Sequence, residues 1–501
     1  MTTISEALAL GLAHHQARRW EQAESIYRQV LAQYPGHVDT LNCYAALVVD
    51  AGRRDEGIVL LEQAAAQAPH DLRVAINLGS IYVTTGRYGQ AEEVLLRALQ
   101  LDPQQPDATY HLGLVMEQAG RRDDAASYYR RTLQLQPQHR AAHVNLGVLL
   151  KSAGHYDMAL MHFNEALAID PESRYARYNR GMVLLTQGNF VEGFRDYEAR
   201  LDFPEFGTRR RPEAEWDGRP LAAHSLIVYG EQGIGDMIQF VRYLPLVRQR
   251  CARVTLEVPQ LLLPLFREAG IEGLAAQAPA NQPPRAAEAA GYDFQIPLLS
   301  LPRVLGTTLA TIPGGVPYLT ANDHRVAQWR AQLAQYRGLR VGIAWQGRPT
   351  HRDDRYRSIP LARFAPLARA GGVNLLSLQK GHGREQLAGV GDQLNVVDLQ
   401  ELIDPQAEQF LDVAAIVRNL DLLITCDTSL GHLAGAMGVP VWVAIPAYSD
   451  WRWLLDRTDT PWYPTMRLFR QPELGAWEPV FAEMAAELNA LVANRASTMK
   501  S

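Results

Sequence analysis

At 501 residues the chain is too long for one hydrophobic core, so its length implies two to four domains. A 47% hydrophobic share with 21% charged residues is that of an ordinary soluble protein, and a formal charge of −5 argues against a dedicated nucleic-acid binder, whose phosphate contacts need a basic face. Cys43, Cys251 and Cys426 have neither metal-ligand nor disulfide spacing; with no secretory leader and no apolar run near the ~20 residues of a membrane helix, the expected compartment is the cytoplasm.

Pro35, Pro69, Pro103, Pro137 and Pro171 recur every 34 residues, and Gly52, Gly86, Gly120, Gly154 and Gly188 keep the same step. A proline stop and a mid-repeat glycine at this period are the signature of the tetratricopeptide helical hairpin. About six hairpins are expected over residues 1–204, forming an all-α superhelix. The first, residues 4–34, has Arg18 where the glycine should stand, as suits a capping repeat. Gly57, Ala91, Ala125, Ala159 and Gly193 let the second helix lie close to the first. Tyr27, Leu61, Leu95, Tyr129, Phe163 and Tyr197 are expected to fill the seam between hairpins. One column reads Cys43, Asn77, His111, Asn145, Asn179. Asparagine there can simply hydrogen-bond within its own repeat. Alternatively Asn77, His111, Asn145 and Asn179 line the concave groove and pair with the backbone of an extended acceptor peptide, since a carboxamide carries both donor and acceptor.

Residues 205–222 read as a linker, with the Arg209–Arg211 run as a solvated face. Beyond it short apolar strands alternate with helices, which implies parallel α/β layers. Strands are expected at 226–230, 254–258 and 292–296, with a helix over 236–249 and a loop at 271–291. A helix near 322–337 leads to a second set of strands at 340–345, 373–379, 395–398, 422–425 and 441–445, closed by a helix near 479–492. The expectation is two Rossmann-like domains, 223–320 and 321–478, facing a cleft, with a C-terminal helix at 479–495. Ligands should meet the carboxyl ends of their strands.

Gly230-x-x-Gly233-x-Gly235-Asp236 lacks the spacing of a dinucleotide fingerprint, and no Gly-Lys-Ser/Thr follows. Its glycines permit close approach of a ligand. Asp236 is either a helix cap or a general base facing the cleft. In 427–436, Thr428 and Ser429 open a helix after a strand, a seat for a pyrophosphate or a plain cap. His432, one turn on, can donate to a phosphate oxygen or be satisfied by protein groups. Lys380 is one of only three lysines against 46 arginines and ends a strand, where an ammonium suits a phosphate or is merely solvated. Gln346 and Arg348 open a loop with Arg352, Arg355 and Arg357 that can balance a diphosphate. Asp353 and Asp354 are read as intraloop salt-bridge partners, and no metal is expected. Trp451-Arg452-Trp453 and Trp462-Tyr463 are core aromatics or a stacking surface for a base or sugar.

Together Gly-x-Gly-Asp (233–236), Gly-Ile-Ala-Trp (342–345), Ser-Leu-Gln-Lys (377–380) and Asp-Thr-Ser-Leu-Gly-His-Leu-Ala-Gly-Ala (427–436) resemble bacterial tetratricopeptide proteins with a heptosyltransferase-like glycosyltransferase domain. That group has a GT-B fold and includes flagellin glycosyltransferases. The resemblance implies a nucleotide-sugar donor whose diphosphate is contacted by Asp427, Thr428, Ser429 and His432, with Lys380 where a phosphate-binding cation is expected; Gly233, Gly235, Gln346, Arg348 and Gly431 are further donor-binding candidates from their own loops. It also implies Asp236 as base and flagellin or another surface protein as acceptor. Ser429 departs from the glycine usual in the Asp-Thr-Gly motif.

The expected function is metal-independent, inverting transfer of a sugar to a protein Ser/Thr hydroxyl, without a cofactor and with the repeat arm recruiting the polypeptide. Two other readings stay open. One is a non-catalytic repeat adaptor with a sugar-nucleotide-binding domain. The other is a glycan-directed, heptosyltransferase-like enzyme.

Overall fold

The structure is a computed structural model that describes residues 3–204, 211–277, 291–351, 354–403 and 409–498. The chain divides into two compact units, Met1–Ala176 and Arg177–Ser501.

The first unit contains five helical hairpins, from Ile4–Gln16 with Trp20–Gln33 to Arg140–Ser152 with Tyr156–Ile169. Gly52, Gly86, Gly120 and Gly154 turn each hairpin in the left-handed region, at φ 73 to 83°. Arg18 occupies the same turn of the first hairpin at φ 56°, so the capping repeat keeps the glycine conformation without the glycine. The large residues reach the next hairpin, as Tyr27 does to Tyr44 at 6.2 Å between rings, but they also pack inside their own. Tyr27, Leu95, Tyr129 and Phe163 each cover a glycine of their own hairpin: a Cβ on Gly11, Gly79, Gly113 or Gly147 would overlap the ring or the leucine branch. The Leu-Gly pair of the first helix is therefore a socket for the second helix.

The boundary falls within the helix Arg174–Thr186; the second unit holds the rest of it and the helix Phe190–Tyr197, which continue the 34-residue pattern, and then forms two parallel sheets. The first has strands β1 (Ala214–Glu215), β2 (Leu221–Tyr229), β3 (Cys251–Val258), β4 (Leu274–Ala276) and β5 (Phe294–Pro297) in the order β1-β5-β2-β3-β4. The second has β6 (Leu339–Ala344), β7 (Val373–Ser377), β8 (Val396–Asp398), β9 (Leu422–Cys426), β10 (Val441–Ile445) and β11 (Met466–Arg470) in the order β11-β10-β9-β6-β7-β8. Two short strands, β1 and β4, fall in segments that read as linker and loop, because two or three residues carry too little periodicity to register. The edge strand β11 was hidden behind the prolines and aromatics at 461–464. The expected helix over 236–249 is broken into Ile234–Phe240, a turn at Val241–Tyr243 and Leu244–Arg248, where Pro245 removes a helical N–H.

Both sheets are doubly wound. From β2 the chain moves outward through β3 and β4, then crosses back to β5 on the other side; from β6 it moves through β7 and β8, then crosses back to β9. The switch points lie between β2 and β5 and between β6 and β9, so the loops after β2, β6 and β9 border the crevices where such sheets take ligands. One core joins the first sheet, the facing side of the second sheet and Phe190, Phe194 and Tyr197 of the last hairpin. The other side of the second sheet is sealed by Trp477, Phe481, Met484 and Leu488 of the helix Trp477–Thr498.

Candidate functional site

The loop after β2 enters the helix Ile234–Phe240 through Gly233, and the Asp236 carboxylate accepts the Gly233 N–H at 2.9 Å (Oδ2), so Asp236 does steady the helix start. Gly235 is glycine for a packing reason. An ideal Cβ there would lie 3.0 Å from His432 Cδ2 and 3.4 Å from Ser429 Cα. The loop after β2 of the first sheet thus rests directly on the helix Ser429–Ala436 that follows β9 of the second sheet. Two motifs nearly two hundred residues apart meet backbone to backbone.

In that helix Thr428 is the N-cap in extended conformation, yet its hydroxyl makes no cap bond and pairs instead with Thr425 Oγ1 at 3.2 Å. The first-turn N–H groups of a helix have no intrahelical acceptors, which makes this start a seat for an anion. Gly435 faces a neighbour too close for a side chain: a Cβ there would lie 2.6 Å from Tyr463 Cγ, whereas one on Gly431 would lie 3.3 Å from Thr425 Cγ2. His432 is buried, with Nδ1 3.0 Å from the Tyr463 hydroxyl and its ring stacked on Trp453 at 5.5 Å. Burial, then the nearby Arg452 guanidinium, pulls its imidazole down to about 4, so it is neutral near pH 7.

The loop after β6 is held from below by Gln379, the residue before Lys380. The Gln379 Oε1 accepts the N–H groups of Trp345 and Gln346, each at 3.0 Å, and its amide donates to the Gln346 and His382 carbonyls. Gln346 in turn accepts from Gln386 at 3.1 Å. Arg348 and Lys380 are exposed. Asp354 pairs with Arg357 inside the loop at 3.4 Å; Arg352 and Asp353 lie outside the described residues, as do Arg209 and Arg210 of the linker run. Arg357 also donates to the Asp427 carbonyl at 3.1 Å, tying the loop after β6 to the loop after β9.

Sequence reasoning read the turn Trp451–Trp453 as aromatic core or as a stacking surface. It is core, with each tryptophan about 1% exposed, and its three side chains face three different neighbours. Trp451 meets Phe190, Phe194 and Tyr197 of the last hairpin at 5.5 to 6.1 Å between rings. Trp453 donates its indole N–H to Asp427 Oδ2 at 2.9 Å. Arg452, between them, is the residue missed. Its guanidinium donates to Asp236 Oδ1, to Gln239 Oε1 at 2.7 Å and to Asp450 Oδ1 at 2.8 Å. The available signal was a lone arginine inside an aromatic run just past the carboxyl end of β10.

The carboxylates here are pushed apart. Burial, then the Asp450 charge, raises Asp427 above the usual range. Burial opposes ionisation of Asp450, but the Arg452 charge and hydrogen bonds outweigh it and hold Asp450 low. Among the described residues no three His, Cys, Asp or Glu side chains gather in a metal-ligand group. A cavity of about 500 Å³ lies elsewhere, at the amino ends of β3 and β5, lined in part by Arg248, Arg253, Glu272 and Tyr292. It sits at the wrong end of the sheet for the switch-point loops.

The repeat column is less uniform than its spacing suggests. Asn77 is exposed and bonds Asn42 Oδ1 at 2.8 Å, whereas Asn145 is half-buried and donates to the Tyr110 and Tyr129 hydroxyls. His111 is pulled down to about 4 by burial, with a buried Nδ1 that has no partner among the described residues. Asn179 belongs to the second unit and is buried.

Fold and motifs together define a tetratricopeptide-repeat protein with a C-terminal α/β region of two parallel sheets, an arrangement compatible with the GT-B fold. Tetratricopeptide-repeat family profiles match residues 7–36, 48–114, 105–172 and 149–207. Protein FlbA of Caulobacter vibrioides (strain ATCC 19089 / CIP 103742 / CB 15) is 30% identical over 322 residues, covering 60% of this chain and 53% of FlbA, so the chain spans about half the length of that relative. Among solved structures, MamA is 26% identical over 32% of this chain and 95% of its own, with a TM-score of 0.29. TTC0263 of Thermus thermophilus, described as a thermophilic TPR protein, is 23% identical over 36% and 100%, with a TM-score of 0.33. No helix among the described residues is long and apolar enough to cross a membrane.

Proposed function

We propose that the α/β region transfers a sugar from a nucleotide-sugar donor to a Ser or Thr hydroxyl of a polypeptide recruited by the repeats. The observation that carries this reading is the seating of Gly235 on Ser429 and His432. It brings an acidic residue of one switch-point loop beside the open helix start of another, while Arg357 fastens the third loop to the same place. The donor diphosphate would lie on the first turn of Ser429–Ala436, its growing charge met by helix N–H groups, His432 and the arginines of the loop after β6. Arg452 holds the Asp236 carboxylate in place. Each Asp236 oxygen has a further lone pair, so the carboxylate would accept the proton of the attacking hydroxyl as that oxygen bonds the anomeric carbon and the nucleoside diphosphate departs.

A second reading rests on the same ion pair. Both Asp236 oxygens are already bonded, by Arg452 and by the Gly233 N–H, as suits a structural rather than a reactive carboxylate. In that case the region binds a sugar nucleotide without turning it over. Calorimetry with UDP-, GDP-, ADP- and CMP-sugars, followed by mass spectrometry of nucleotide release and of sugar added to protein, tests both. Binding with turnover supports transfer, binding alone supports the sensor, and no binding removes both.

A further inference from the structure

Tyr463 is fully buried and lies flat over Gly435, where no other residue leaves room for its ring. From there its hydroxyl reaches back one helical turn to His432 Nδ1 at 3.0 Å. Which atom donates follows from the neighbours. The Tyr318 hydroxyl is 3.0 Å from the Ile238 carbonyl oxygen, which only accepts, so the single Tyr318 proton is committed there. If His432 donated from Nδ1, the Tyr463 proton would have as acceptor, among the described residues, only the Tyr318 oxygen, 3.5 Å away. Donating to a bare Nδ1 gives Tyr463 the shorter bond and leaves no proton stranded.

The imidazole is neutral, held so by burial and by the Arg452 and Arg242 charges. A neutral ring with a bare Nδ1 carries its proton on Nε2. That nitrogen is on the side of the ring toward Gly235, where an ideal Cβ would be 3.7 Å away, and among the described residues no protein group bonds it. The tyrosines are themselves pinned. The buried Arg242 guanidinium sits 4.8 Å from the Tyr463 ring centre and 4.7 Å from that of Tyr318, and donates to the Trp462 carbonyl at 2.7 Å.

We infer that Tyr463 is a positioning residue that fixes His432 in the Nε2–H tautomer, so that the imidazole presents an uncharged hydrogen-bond donor beside the first turn of Ser429–Ala436. Its ligand is an oxygen of a diphosphate, an assignment that rests on the function proposed above. The tautomer does not rest on it. A donor that stays neutral suits a site already rich in arginine, because it contributes direction to anion binding without adding charge.

Nitrogen NMR of full-length protein labelled at histidine tests the assignment, with His432→Gln identifying the resonances. Unliganded wild-type protein should show His432 with a bare Nδ1 and a protonated Nε2. Tyr463→Phe should mix the tautomers and weaken binding of UDP, GDP or inorganic pyrophosphate about 10-fold. Tyr318→Phe should leave the tautomer unchanged. A protonated Nδ1 in the wild type overturns the inference even if Tyr463→Phe fails to fold, and so does an unaltered tautomer in a folded Tyr463→Phe. Should the tautomer be as assigned while the wild type binds no diphosphate, the proposed function and the anion contact fall together.

Discussion

Arg452, in the turn after β10 of the second sheet, donates to the Asp236 carboxylate, three residues into the helix after β2 of the first. The arginine is nearly inaccessible and also donates to Asp450 and Gln239, so the aspartate is held from a fixed anchor. A carboxylate in this setting is part of the join between the sheets, one residue from the glycine that rests on the helix Ser429–Ala436.

Asp236→Asn should therefore have two separable effects. If the carboxylate takes the acceptor proton, transfer falls about 10²- to 10⁴-fold while sugar-nucleotide binding persists in calorimetry. Urea unfolding should also show a loss, and a double-mutant cycle with Arg452→Gln should return a coupling of about 0.5–3 kcal/mol. Turnover near that of the wild type would remove Asp236 from the chemistry and leave it the structural half.

Gly235→Ala places a methyl group 3.0 Å from His432 Cδ2 at a backbone conformation any residue adopts, so the cost is crowding rather than strain. We expect a folded protein destabilised by about 1–3 kcal/mol, with weaker diphosphate binding as His432 and the helix start are pushed aside. Thermal melting and calorimetry check the pair. Unchanged binding would mean that the contact between the two loops does not shape the site.

The chain should be divisible at 176/177 but not at 204. Removing residues 1–176 keeps Phe190, Phe194 and Tyr197 on Trp451, whereas removing 1–204 strips them away and bares a core that includes Trp451 and Trp462. Losses of about 3–5 kcal/mol accompany deletion of even one such buried aromatic. The shorter deletion should melt cooperatively and the longer should aggregate. With the shorter one in hand, retained transfer to a free glycan but not to a polypeptide would identify a glycan-directed enzyme.

Stability should depend on pH through His432. Its folded value of about 4 lies below the 6.5 of the free side chain. Between those values the unfolded chain binds a proton that the folded protein excludes, so the contribution is complete above about pH 6.5 and lost as pH falls through about 4. It is worth ~3 kcal/mol at most. Arg452, Arg242, Asp236 and Asp450 all act on this ring, and Asp427, raised by burial, works in the opposite sense as pH rises. Comparing the wild type with His432→Gln in urea between pH 4 and 7 cancels those shared effects. The difference between the two should grow toward pH 7.

Periodicity made the repeats legible from the sequence, and strand-length apolar runs made most of the two sheets legible. A helix or a strand declares itself through local spacing, and the 34-residue step repeats it often enough to leave no doubt of the hairpins. Chemistry-bearing residue types past strand ends were readable in the same way, which is how Asp236, Lys380, Asp427 and His432 stand out as candidates. What no local pattern carried was which of them meet. Gly235 against His432, Arg452 against Asp236 and Tyr463 over Gly435 join residues far apart in the chain, and their pairing depends on how the sheets twist and pack. Arg452 and Tyr463 lay in segments whose composition said only core; direction was added by the fold, because a buried polar atom must find its partner wherever packing places one.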